Sequence, residues 1–154
     1  MSNYRELEAK FKQYRSRVTR GTEAAMRKTA AKTTKDMREN VPVDTGALRG
    51  SIRYSVSKAT GEIVVRIHAN AQSAEGTKYA EFIEFGTGIY NQHGDGRKTP
   101  WVVSAVVHGV PRTWTTHGIV AHPFIRPAFR KYLPELQKSI QRTMRVDGIG
   151  PSGW

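Results

Sequence analysis

Residues 4 to about 39 carry the strongest constraint in this chain, one helical period sustained over roughly ten turns. Leu7, Phe11, Tyr14, Val18 and Ala25, with Thr22 and Thr29 beside them, recur at steps of three and four and lay one apolar stripe along a helix. Asn3 is the expected N-cap, and Glu6 three residues on would complete a capping box. Gly21-Thr22 interrupts the pattern and predicts a kink or a break into two helices. Pro42 ends the segment, because the residue before a proline is pushed out of the α region. On the polar side, Lys10, Arg17, Lys28 and Lys35 align in one row, with Arg20, Arg27 and Arg38 in the next.

Downstream, the period changes. Val41-Pro42-Val43-Asp44-Thr45-Gly46 reads as a turn, with Asp44 placed to cap the short segment that follows and Gly46 free to take positive φ. Residues 51–57 alternate, with Ile52, Tyr54 and Val56 on one face, and 62–69 alternate again through Ile63, Val65 and Ile67. Joined by 59–61, they predict an antiparallel hairpin. Residues 70–78 are small and polar, an expected mobile loop. Tyr79 to Phe85 reads as a short helix with inward aromatics, stopped by Gly86. After a polar, glycine-bearing loop to Pro100, Trp101–Val107 and 112–116 predict a second hairpin through His108-Gly109, with Pro111 at an edge or strand start.

The last helix is expected from Phe124 or Pro127 to Met144, with Phe129, Tyr132 or Leu133, Leu136, Ile140 and Met144 inward. Pro134 would kink or restart it, and 148–154 would be a flexible tail. The order predicts an α+β fold: an antiparallel sheet of about four strands, with a long N-terminal helix and a C-terminal helix packed on it. The expected layout is a single domain over 1–147, composed of a helix (1–40), sheet and loops (41–122) and a final helix (123–147).

At 154 residues the chain suits one domain, and its 25 basic against 13 acidic residues give a net charge of +12. Residues 1–40 hold 11 basic and 5 acidic side chains and 123–146 hold 6 and 1, so the excess lies at the two ends. Such a field attracts DNA or acidic protein faces, and it equally describes a solvated helix surface. The absence of cysteine excludes disulfides, thiolate zinc sites and cysteine nucleophiles. No stretch approaches the roughly 20 apolar residues of a membrane span, and the amino terminus has no apolar core of a leader, so a soluble, non-secreted protein without a membrane partner is expected.

The catalytic inventory is thin. His68, His93, His108, His117 and His122 are scattered without metalloprotease spacing, although His117 and His122 flank one loop. Glu81 and Glu84 lie three apart on the short helix, a spacing that fits capping or solvation of that helix better than an acid pair. Gly86-Thr87-Gly88 lacks the lysine and hydroxyl of a phosphate loop. No nucleic-acid module is recognisable, so any DNA contact would go through phosphates. The expectation is a non-enzyme with no metal and no cofactor.

Three segments read together carry a resemblance: Val41-Pro-Val-Asp-Thr-Gly-Ala-Leu-Arg-Gly-Ser-Ile52, Tyr79-Ala-Glu-Phe-Ile-Glu-Phe-Gly-Thr-Gly88 and Ala121-His-Pro-Phe-Ile-Arg-Pro-Ala-Phe129. Their succession resembles the tail-component family of lambda-like long-tailed phages, the head–tail joining or tail-completion proteins of the virion neck. The residues that carry the likeness are Pro42, Asp44, Thr45, Gly46, Leu48 and Ser51, then Tyr79, Phe82, Glu84, Phe85, Gly86 and Thr87, then Pro123, Phe124, Arg126, Pro127 and Ala128. The Asp44-Thr45-Gly46 turn, and Pro123 and Pro127 at the entry of the last helix, are scaffold devices with no reactive group among them.

The resemblance implies a ring, six-fold, at the head-proximal end of the tail, assembled in the host cytoplasm. A tail-terminator or tail-tube protein would lie on one side, a head connector or head-closure protein on the other, and genomic duplex DNA would pass through the lumen. Arg17, Arg20, Arg27, Lys28 and Lys35 are then the candidate contacts to DNA or an acidic partner. Residues 88–120 look like a hairpin insertion. A tail-terminator or head-closure subunit, a stand-alone basic DNA-binding protein and a small hydrolase using the histidines of 93–122 are the competing readings.

Overall fold

The computed structural model describes residues 2–59, 61–73, 76–107 and 109–145; the expected tail at 148–154, Thr60 and His108 lie outside them. The elements are α1 (Ser2–Asn40), α2 (Ala47–Ser51), β1 (Ile52–Ala59), β2 (Glu62–Ala69), α3 (Ala80–Phe85), a 3-10 turn (Gly88–Tyr90), β3 (Trp101–Val107), β4 (Val110–Thr116) and α4 (Ile125–Met144). This is the expected α+β fold, with four antiparallel strands. They form two separate two-stranded sheets, β1-β2 and β3-β4, in place of the single sheet anticipated. Alternation tells which residues share a face of a strand and says nothing about which strand edges meet.

The chain divides into two compact units, one drawing on Met1–Lys35, Tyr54–Ile67 and Ala128–Trp154, the other on Asp36–Arg53 and His68–Pro127. In the first, α1 and α4 run antiparallel. Tyr14 donates its hydroxyl to the Met144 carbonyl (2.8 Å), and further along, the Lys32 ammonium meets the Glu135 carboxylate (2.5 Å). The expected break at Gly21 is absent, and α1 is continuous. A Cβ at Gly21 would stand 2.6 Å from Cγ2 of Thr143, so this glycine serves close helix packing. Nor does Pro134 interrupt α4. The proline takes away an N–H that would have met the carbonyl of Arg130, a residue exposed to water that can solvate it. Asn3 lies inside α1, so the expected capping box is not its start.

The apolar side of this unit gathers Met26, Ala30, Val65, Ile67, Phe129 and Leu136 around a small cavity of about 190 Å³. Of the alternatives expected inward, Tyr132 is half-buried while Leu133, at the edge of this cavity, is 45% exposed; Met144, also expected inward, is 51% exposed. The start of the α1 stripe is uncovered too: Tyr4, Leu7 and Phe11 are 74%, 52% and 65% exposed. Tyr14 bonds the carbonyl of Met144, the last residue of α4, so the first three turns of α1 run beyond that point.

The second unit buries Met37, Val41, Leu48, Ile52, Ala80 and Phe124. The turn into α2 is as read, with Gly46 at φ 80° and its carbonyl accepting the N–H of Gly50 (2.9 Å). The Thr45 hydroxyl, and not Asp44, accepts the N–H of Ala47 at 3.3 Å. Asp44 is exposed, and one residue closer to the helix the shorter side chain already reaches that donor. Arg38 donates to the Ile52 carbonyl (Nε, 2.9 Å) and Arg49 to the Arg38 carbonyl (3.0 Å), fastening α2 against the end of α1.

The flanks of 70–78 close on each other through a Gln72–Lys78 bridge, where a mobile loop was expected. β4 begins at Val110, two residues early, and Pro111 stands opposite Val106, acceptable because a two-stranded sheet leaves β4 an open edge.

Gly46→Val should destabilise the protein by about 1–3 kcal/mol, because a β-branched residue is strained at positive φ. Gly46→Asn, better tolerated there, should lose clearly less. Chemical denaturation of both variants measures this, and equal stability of valine and glycine at 46 would refute it.

Candidate functional site: a buried carboxylate at the start of the last helix

Two of the three motif segments meet at one side chain. α3 turns Glu84 into the second unit, where it is 1% exposed. Oε2 accepts the N–H groups of Phe124 and Ile125, each at 2.8 Å, and Oε1 accepts the N–H of Arg126 at 3.1 Å and its Nε at 2.8 Å. A helix leaves its first four N–H groups without partners. Here those belong to Phe124, Ile125, Arg126 and Pro127; Glu84 takes the first three, and proline has none to offer. The carboxylate also lies at the positive end of a 20-residue helix.

Arg126 closes the cluster. Its Nη2 donates to the Glu84 carbonyl (3.1 Å) and to Oε1 of Gln92 (2.5 Å), while the guanidinium sits 4.6 Å from the centre of the Phe85 ring. The other side of the arrangement is a ring contact of Phe85 with His93, centroids 4.4 Å apart. Gly86 ends α3 at φ 75°, ψ 174°, and its N–H bonds the Phe82 carbonyl. The next residue ties back across the 88–120 segment: the Thr87 N–H bonds the Ile119 carbonyl, and the Ile119 N–H bonds the Thr87 hydroxyl, both at 2.9 Å. Pro123 precedes the helix and Ala128, in its first turn, is fully buried.

Burial pushes the Glu84 carboxyl up, but the N–H of Ile125, the Arg126 guanidinium and the N–H groups of Phe124 and Arg126 outweigh it and hold the group below the usual carboxylate range. Glu84 thus caps a helix, as one reading of the sequence had it, but the helix is α4 and not its own. With four N–H donors on two oxygens it has no lone pair left for acid–base work. Glu81 is exposed. Of the aromatics expected inward, Phe85 and Tyr79 are half-buried and Phe82 is 41% exposed, while the fully buried positions of α3 are Ala80 and Glu84, because its six residues present one narrow inner face. Tyr79 is half-buried ahead of α3, and Leu48 and Ser51 belong to the α2 turn, where the Ser51 hydroxyl bonds the Leu48 carbonyl. Pro42 is exposed at its start. His122 donates its backbone N–H to the Ile83 carbonyl, so that histidine is placed by the backbone.

The five candidate cations of α1 are not equivalent. Arg17 donates to the Arg145 carbonyl (2.9 Å) beyond the end of α4 and lies 5.5 Å from the Tyr14 ring. Arg27 pairs with Glu23 (2.9 Å), which also holds Lys58 (2.6 Å). Arg20 makes a long bond to the Ser16 carbonyl (3.4 Å). Lys28 lines a groove between α1 and α4, and Lys35 is exposed.

The site is built of caps, turns and helix-to-helix ties, and among the described residues no group of three or more His, Cys, Asp or Glu side chains is placed to hold a metal ion. Residues 5–86, just over half the chain, match the HK97-gp10-like family, described as "Bacteriophage HK97-gp10, putative tail-component". The chain belongs to that family, a family of phage structural tail proteins. No curated protein and no solved structure matches it.

Glu84→Gln is expected to cost about 2–4 kcal/mol near neutral pH, since it removes the charge from a buried, charge-assisted cluster. A carboxyl whose folded pKa is depressed contributes stability above its unfolded value of about 4.3 and loses it as pH falls through the lower folded value. The parent should therefore lose stability more steeply than the variant in that acid range. Parallel acid limbs in pH-dependent melting would contradict this assignment.

Proposed function

We propose that the protein is a ring-forming neck subunit of a tailed-phage virion, placed at the head-proximal end of the tail. There it completes the tail or joins it to the capsid connector. Its neighbours would be further copies of itself in a six-fold ring, a tail-terminator or tail-tube protein, and a head connector or head-closure protein. Duplex DNA would pass through the ring without being read. The protein carries out no catalysis in this reading, and it needs no cofactor.

Family membership supports the virion placement, and one structural observation supports assembly: apolar faces that this chain leaves to water. Tyr4, Leu7 and Phe11 line up along the first turns of α1. On the β3–β4 hairpin, Val102 and Val106 are 65% and 69% exposed on the face where Ser104 and Thr113 share a hydroxyl bond. A lone two-stranded hairpin is marginal in water, and apolar faces of this kind mark protein contacts.

Leu7→Ser together with Phe11→Ser should leave the melting temperature of the monomer within a few degrees, because both side chains are exposed. The same change should reduce ring formation, seen by native mass and negative-stain imaging, and lower the yield of infectious particles in a complementation assay. Normal assembly and infectivity would show that this face is not an interface.

A further inference from the structure

Lys28 and Lys32 of α1 and Lys138 and Arg142 of α4 converge on one groove of about 290 Å³, lined in part by Ala25, with Glu135 the one acidic residue on it. Lys32 hydrogen-bonds Glu135, and together with Lys28 and Lys131 it holds that carboxyl below its usual range. One carboxylate thus stands among five cations. Lys28, Lys138 and Arg142 are exposed, and none makes a side-chain hydrogen bond or ion pair among the described residues. The α4 side of the groove, from Glu135 to Arg142, is about 10 Å long at 1.5 Å per residue. One strand of duplex DNA carries about three phosphates over that length.

The geometry points to a binding site for the phosphodiester backbone of duplex DNA, formed by the α1–α4 groove through Lys28, Lys32, Lys138 and Arg142. An acidic protein segment is the lesser fit. Docked segments are held by apolar and aromatic anchors, and this groove offers only an alanine to pack against. A phosphate backbone needs cations alone and carries no sequence information. The inference draws on the neck reading only for why DNA would meet the groove, and it shifts the contact away from Arg17 and Arg27, which are committed within the chain.

The test is binding of the full-length protein to a mixed-sequence duplex of about 30 base pairs, followed across salt concentrations. Two triple variants of equal charge change are compared: Lys28, Lys138 and Arg142 to Gln, and Arg53, Lys78 and Arg112 to Gln. Each phosphate contact contributes about 0.9 to the slope of log K against log salt, so the groove variant should lose up to about 2.7 of that slope and bind at least tenfold more weakly. The second variant should change much less, both should melt like the parent, and a second duplex of different sequence should bind equally. Equal losses in the two variants, an unchanged slope in the groove variant, a strong sequence preference, or binding of polyglutamate in place of duplex would each overturn the proposal. Particle assembly is read separately: groove binding with normal assembly of the Leu7/Phe11 variant would sink the interface assignment and leave this one standing.

Discussion

A carboxylate buried to 1% exposure is expensive unless its charge is met by donors, and the position of Glu84 follows from that need. The open end of a long helix supplies what it requires: three unpartnered N–H groups and the positive end of the dipole. Arg126 adds a planar fork that holds the carboxylate, the α3 backbone and Gln92 together. Pro127 fits because the fourth position has no N–H to satisfy. Neither helix start nor carboxylate is tolerable in this unit without the other, so α3 and the entry to α4 are set as one piece.

This pairing has a consequence for the chain between. Thr87 and Ile119 bond each other reciprocally, and the Ile89 N–H bonds the His117 carbonyl at 3.0 Å. The two ends of the 88–120 segment are thus closed beside the carboxylate, and the β3–β4 hairpin emerges from a clamped base. Loop length beyond a closed base adds little entropic cost, so the hairpin can carry an interface without disturbing the cap.

Several arginines are used within the chain. Arg17, Arg38, Arg49 and Arg126 all donate to backbone carbonyls of their own chain. A guanidinium is suited to that work, with several donors in a rigid fork and weak hydration. Lysines are compact, strongly hydrated point charges, and Lys28 and Lys138 remain on the surface with Arg142. A helical projection of α1 places Arg17, Lys28 and Arg38 alike in rows on its polar side without telling the two uses apart.

What the sequence determined by itself was local. The period of 4–39 and the stop at Pro42 set α1, alternation set the faces of the strands, and Gly46 announced the positive φ that α2 begins from. The succession of three short segments was enough to identify the phage tail-component family. Tertiary structure alone decided the rest. Glu84 and Phe124 are 40 residues apart, and no spacing rule reports a bond over that distance. Gly21 breaks the helical pattern on paper, yet α1 runs through it unbroken, and a packed Thr143 occupies the space a side chain would need. Whether Leu7 and Phe11 are covered depended on where α4 ends along α1, and whether four strands make one sheet or two depended on which edges meet. Periodicity encodes the face an element presents; the partner that face receives is a property of the whole chain.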